Sequence, residues 1–328
     1  MYVEINELGL RDEEVSYQRR NGIGRILLIG DSLTAGFQVP LEDTFGKILE
    51  QRLNDGPQPG EWEILNAAVN GFGTDNELLF YRLEGQKYSP DYVILGMYLA
   101  NDIYNNSREL ELWTGGNGHK PYFTLTEEGD LELRNYPVQD VSRLSVSLGS
   151  FLKKHFQLPR FISQVLRLRA EVPDQLRPVI SAVSGLRGIQ EEDEAEIRPL
   201  SKGDICDEQY TPEIAEAWEI TKALLLQLQE EVGANGARLV VLVIPASAQV
   251  KPPEDDGHWY CDQPNIELAN FLADAGIPTL DLLGAFRAHR AGDGESLYFE
   301  RDFHLNEDGH RLAGQELYEF MAETLAEG

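Results

Sequence analysis

A doubly wound α/β sheet with helices on both faces is the fold class this chain predicts, and three observations carry the prediction. Three short runs, RILLIG at 25–30, DYVILGMY at 91–98 and RLVVLVIP at 238–245, are apolar almost throughout. Val, Ile and Leu without polar alternation mark strands buried on both faces of a parallel sheet. Between the runs stand segments with apolar residues at three-and-four spacing, the helical period. Strands alternating with helices specify a sheet wound in both directions, whose ligands bind beyond the carboxyl ends of the strands.

The elements follow in order. RILLIG runs into Gly30-Asp31-Ser32, so the first strand ends in a turn holding an acid and a hydroxyl. TFGKILEQRL (44–53) and TDNELLFYRLEG (74–85) read as helices around a weaker strand, WEILNAA (62–68). After Asn101 the alternation breaks, and about 110 residues pass before the next helix-strand pair, too many for a plain loop. Within this insert, approximately 105–210, PYFTLTEEGDLELRNYP (121–137) alternates about a Gly-Asp turn and predicts a hairpin. SVSLGSFLKKHFQLPRFISQVLRLRA (145–170) predicts two amphipathic helices broken at Pro159, carrying Lys153, Lys154, Arg160, Arg167 and Arg169. GIQEEDEAEIRP (188–199) reads as an acidic surface segment. The insert is expected to pack over one sheet edge, leaving residues 1–328 a single domain. TPEIAEAWEITKALLLQLQEEVGANG (211–236) opens with a Thr cap and Pro and stops in glycines. IPTLDLL (277–283) is a weaker strand, and NEDGHRLAGQELYEFMAETLAEG (306–328) the last helix.

Composition narrows the partners. The 328 residues hold 28 basic and 56 acidic side chains, a net charge of −28. That balance argues against nucleic acid or an anionic membrane as partner; it fits a solvated acidic surface or a high-salt habitat. Cys206 and Cys261 form no framework and no zinc spacing, and are expected as free thiols of a reducing compartment, a disulfide being the alternative. The start, MYVEINELGLRDEEV, lacks the basic and apolar regions of a signal peptide, and LVVLVIPA (239–246) is too short to span a bilayer. The expectation is a soluble, cytoplasmic chain, with an upstream anchor in a longer gene as the alternative. Oligomeric state is not legible.

No cofactor is expected. Gly22 and Gly24 precede the first strand, whereas a dinucleotide fingerprint must follow its strand and open a helix. GDSLTAG holds no P-loop lysine, and no Asp/His cluster suggests a metal-dependent phosphoesterase. Ser32 as a nucleophile needs a base to take its proton and donors for the developing oxyanion. NAAVNGFGT (66–74) puts Gly71 after the second strand, where a bare N–H can approach a substrate oxygen, and MYLAND (97–102) puts the Asn101 amide after the third. RDFHLNEDGH (301–310) supplies His304 as base and Asp302 to hold its tautomer. His310 reads as structural.

With GDSLTAG, VNGFGT, LAND and DFHLNEDGHRLA in this chain order, the sequence resembles the SGNH (GDSL) hydrolase family. KPYFTLTEEGDLELRNYP and INELGLRD resemble segments of a bacterial subgroup with a long insert. The resemblance implies a flavodoxin-like α/β/α three-layer sandwich on about five parallel strands, and acyl chemistry without metal. It also implies catalytic Ser32, Asp302 and His304, with an oxyanion hole from Ser32, Gly71 and Asn101. Two departures stand out. Three residues before His304 lies Arg301, so the acid is Asp302 in a DxH pattern similar to that of SGNH acyltransferases acting on polysaccharides. Leu99 occupies a position that is usually Gly. Phe72, Tyr98, Leu99, Tyr122 and Phe123 are candidates to wall a substrate cleft. The expected function is a serine ester hydrolase acting on a small or glycan-linked acyl ester. Transfer of the acyl group to an acceptor hydroxyl is the alternative, and an inactive binding module the minor one.

Overall fold

The computed structural model describes residues 3–56, 60–113, 120–138, 205–207, 209–250, 261–292, 294–300 and 302–326. The chain divides into two compact units, 1–135 with 200–328, and 136–199. The helices predicted over 145–170 and the acidic segment 188–199 lie outside the described residues.

The first half runs β1 (Gly24–Gly30), α1 (Ser32–Ala35), α2 (Phe45–Asp55), β2 (Trp62–Asn66), α3 (Thr74–Leu83) and β3 (Tyr92–Met97). Next come α4 (Leu99–Asn106), α5 (Arg108–Trp113) and an antiparallel hairpin, β4 (Tyr122–Leu125) and β5 (Leu131–Arg134). The remainder is α6 (Pro212–Ala234), β6 (Arg238–Val243), α7 (Ser247–Val250), α8 (Gln263–Asp274), β7 (Thr279–Asp281), α9 (Leu283–Ala291) and α10 (Glu307–Ala326).

Five strands pair in parallel in the order β2-β1-β3-β6-β7. Strand period sorts their side chains into two cores. Leu27, Ile29, Val93, Leu95, Val241 and Val243 face one, closed by Trp218, Leu224 and Leu228 of α6 and Leu268 and Leu272 of α8. Ile26, Leu28, Ile94, Val240 and Leu242 face the other, closed by Phe45 and Leu49 of α2, Phe286 of α9 and Leu317 and Met321 of α10. The result is a three-layer α/β/α sandwich. Winding reverses between β1 and β3: β2 lies on one side of β1, and all later strands of the sheet lie beyond β3. Such a reversal opens a crevice at the carboxyl ends of those two strands.

Caps mark the boundaries the sequence suggested. The Thr44 hydroxyl accepts from Lys47 N at 3.4 Å to open α2, and Thr211 accepts from Ile214 N at 3.4 Å to open α6, with Pro212 first inside. Six of the described helices were not in the prediction: α1, α4 and α5 directly after β3, α7, α8 and α9. None exceeds 12 residues, and α4 begins at Leu99, ahead of the stretch read as the insert, while α5 lies within it.

The cysteine expectation is corrected. Cys206 and Cys261 form a disulfide, with Cα atoms 5.7 Å apart across 55 residues of sequence. The segments leading into α6 and α8 lie side by side, tied also by Tyr210 Oη to Glu267 at 2.7 Å and by Lys222 to Glu267 at 3.0 Å. No helix among the described residues is long and apolar enough to cross a membrane.

The ends of β1 and β3 leave no room between them. Gly30 pairs with Gly96, and the Thr34 hydroxyl of α1 donates to Gly96 O at 3.4 Å. A Cβ on Gly96 would clash with Thr34 Oγ1. We therefore expect Gly96→Ala to destabilise the protein by roughly 1–3 kcal/mol, the usual cost of overpacking. A urea midpoint equal to wild type would show that the crevice floor has slack.

Candidate active site

At the crevice floor, Asp31 is the cap and Ser32 the first residue of α1. The Asp31 Oδ1 accepts from Leu33 N at 2.8 Å, and α1 ends after one turn at Gly36, whose φ of +62° suits glycine. One helical turn has no stability of its own, so its geometry is imposed from outside. The buried guanidinium of Arg11 donates to Ala35 O and Val39 O at 2.5 Å each. Beside it, Asp12 accepts from Asn66 N at 2.7 Å and pairs with Lys47 at 2.7 Å. The INELGLRD segment thus straps the serine turn to the end of β2.

Across the crevice, Asn101 sits in the first turn of α4 and donates its Nδ2 to Asp31 Oδ2 at 3.3 Å. Sequence reasoning placed Asn101 at a strand end; the structure places it inside a helix whose next residue, Asp102, accepts from Tyr98 N at 2.8 Å. Gly71 lies in the exposed loop after β2, with φ +81° and open space where a Cβ would stand. That loop runs along the end of β1, Val69 N donating to Gly30 O at 3.0 Å.

Asp302 and His304 share one loop. The Asp302 Oδ1 accepts from His304 N at 3.2 Å and meets His304 Nδ1 at 2.5 Å. Burial works against the Asp302 carboxylate, but the bonds from His304 outweigh it and hold its pKa below the ordinary value. With Nδ1–H committed to Asp302, Nε2 keeps its lone pair, and that nitrogen is buried with no hydrogen-bond partner. The imidazole lies close enough to Asp31 for its charge to lower that carboxyl's pKa. The loop is pinned by Tyr298 Oη donating to Pro245 O at 2.7 Å, Asn306 Nδ2 to Ser296 O at 2.6 Å, and a bridge between Tyr298 and Leu305. His310 is structural: it is buried, accepts from Phe45 N at 3.3 Å, and has its pKa pushed down to about 3 by burial, Arg11 and His304.

The structure therefore joins Ser32, Asp31 and Asn101 directly, and sets the His304–Asp302 pair within electrostatic reach of Asp31. Of the cleft candidates, Tyr98, Leu99 and Phe123 are buried, while Phe72 and Tyr122 are half-buried. Two groups were missed. Phe303, between the acid and the base, is 51% exposed and stacks on His304 at 4.4 Å. Its position inside DFH was the available signal. The second is a buried acidic cluster on α3 and α4, for which the helical patterns gave no sign.

Asp75, Glu77 and Asp102 are all fully buried behind Asp31. Lys120 pairs with Asp75 at 2.8 Å, but neither Glu77 oxygen has a hydrogen-bond partner, nor has Asp102 Oδ1. Burial pushes the Asp31 pKa up to about 6, opposed by the bonds from Leu33 and Asn101 and by His304. Burial, then the charges of Asp31 and Asp75, push Glu77 well above the usual carboxyl range. Asp102 is raised well above it too, by burial and then by Glu77 and Asp31. Burial and mutual repulsion both favour the protonated form. No group of three or more His, Cys, Asp and Glu side chains among the described residues is arranged to hold a metal ion. A carboxyl whose pKa is higher folded than unfolded helps stability at low pH and loses that help as pH rises through its folded value. Glu77→Gln should remove one such titration. We expect it to flatten the fall of stability with pH above the unfolded carboxyl range, by up to about 1.4 kcal/mol per pH unit. Thermal melts across pH 5 to 9 check this (a range of roughly the ordinary working span), and parallel curves for variant and wild type would refute it.

Comparison with known proteins follows the same lines. Residues 206–328 match the model of a family described as SGNH hydrolase-like domain, acetyltransferase AlgX. The chain is 30% identical over 115 residues to the probable alginate O-acetylase AlgJ of Azotobacter vinelandii; the alignment spans 33% of this chain and 29% of that protein. Among solved structures, the acetyl xylan esterase AlAXEase aligns over 90% of this chain and 98% of its own, at 11% identity and TM-score 0.45. A catalytic mutant of the acetylxylan esterase Axe2 from Geobacillus stearothermophilus aligns over 91% and 94%, at 12% identity and TM-score 0.47. The family match thus bears on residues 206–328, the part of the chain that carries helices α6 to α10 and the Asp302–His304 loop.

Proposed function

We propose that the chain is a serine-dependent acyl ester enzyme acting on a small or glycan-linked acyl ester. Ser32 attacks the ester carbonyl as His304 Nε2 takes its proton, and Asp302 holds the imidazole and stabilises its cation. The oxyanion rests on the backbone N–H groups of Ser32 and Gly71 and on the Asn101 amide, which Asp31 orients. His304 then protonates the leaving alcohol, and water or an acceptor hydroxyl resolves the acyl-enzyme. The observation that carries this reading is the His304–Asp302 bond of 2.5 Å, which leaves an unpartnered Nε2 as base near the Asp31-Ser32 turn.

A second reading, transfer of the acyl group to an acceptor hydroxyl, is favoured by the acetyltransferase family match and by the alginate O-acetylase relative. The two readings share the first half-reaction and differ only in what resolves the acyl-enzyme.

Ser32→Ala is expected to abolish covalent labelling by a fluorophosphonate. Asn101→Ala should lower kcat on p-nitrophenyl acetate by roughly 10²–10³, the cost of one oxyanion donor. An unchanged kcat would remove Asn101 from the reaction. Product mass spectrometry with and without polysaccharide acceptors separates the two outcomes: steady acid release without acceptor means hydrolysis, and turnover only with acceptor means transfer.

A further inference from the structure

Phe303 has no evident reason to face water. It is a large apolar side chain, 51% exposed, in a loop pinned on both flanks. Its ring contacts the candidate base at 4.4 Å and lies within 4° of parallel to Tyr98 at 6.2 Å. Tyr98 and the His304 side chain are only 8% and 12% exposed, so Phe303 is the open member of a three-ring stack.

Resting on the proposed acyl chemistry, we propose that Phe303 is a substrate-stacking platform that holds the uncharged pyranose ring carrying the acyl ester. A sugar ring presents an apolar C–H face and a polar hydroxyl edge. A flat aromatic ring beside the base takes the face, through contact with its electron-rich surface. The local sequence is rich in acceptors for the edge: residues 300–307 carry Glu300, Asp302 and Glu307 against Arg301 alone. The same carboxylates, on a chain of net charge −28, disfavour a polyuronate. A long acyl chain would need a continuous apolar trough, but Tyr98, the ring stacked on the platform, is buried rather than open. The platform therefore reads the sugar, and the acyl group it delivers is small.

Binding of xylohexaose, cellohexaose and a hexameric mannuronate is measured by calorimetry on Ser32→Ala protein. The same titrations are run with Phe303→Ala, Phe303→Leu or Phe303→Trp added. We expect the Ala and Leu variants to weaken a neutral hexamer roughly tenfold or more, and Trp to retain it. Leu keeps apolar bulk without the flat ring, so loss in Leu and retention in Trp assigns the effect to stacking. Equal affinity across the variants, no binding of either neutral hexamer at millimolar concentration, or tighter binding of the mannuronate would overturn the proposal. Fluorophosphonate labelling of wild-type Ser32 is scored separately. Labelling without a Phe303 effect removes the platform alone, and a Phe303 effect without labelling removes the proposed chemistry alone.

Discussion

A carboxyl group sealed from water at the end of the central strand sets the terms for everything around it. Asp31 is buried, yet it must accept two bonds, from Leu33 N and from the Asn101 amide. In an apolar setting a carboxyl left without donors is costly, so both donors are held where the acid needs them. The first fixes the start of α1 and with it Ser32. The second ties α4 to β1 across the point where the sheet reverses its winding. One desolvated group thereby fixes the relative position of two residues that are 69 apart in sequence, Ser32 and Asn101.

The helices behind Asp31 make this arrangement sensitive to protons. Among the described residues neither Glu77 nor Asp102 forms an ion pair; Lys120 pairs with Asp75, and its charge acts on Glu77 from there. Negative charge arriving in the cluster acts on Asp31 through a medium that screens little. Burial thus works against ionisation throughout the polar groups behind the crevice floor. Arg11 contributes the opposite sign from the other flank, over the end of α1.

Much of this was legible in the sequence, and the reasons are physical. Strands buried on both faces have no alternation to blur them, so RILLIG, DYVILGMY and RLVVLVIP identify β1, β3 and β6. Thr44, Thr211 and Pro212 announce helix starts because their side chains or fixed φ supply what a helix end lacks. Ser32 follows the end of β1 as the pattern indicated, whereas Asn101 lies in the first turn of α4, past the end of β3. Helices α4 and α9 were not legible, being short and stabilised by packing rather than by pattern. The Cys206–Cys261 pairing was hidden because proximity across 55 residues is a property of the fold, not of spacing. Phe303 was hidden because an aromatic residue in a sequence does not declare whether it faces core or water.

The two-residue spacing of Asp302 and His304 puts acid and base on a single short span of chain, anchored at Tyr298 and Asn306 rather than by Ser32. The bonds between them make a single unit of the pair. Damage to an anchor would carry the intact pair away from the crevice, with its internal hydrogen bond preserved. Such a protein would keep a properly oriented imidazole and a properly capped serine, each in good local order, and fail only in the distance between them.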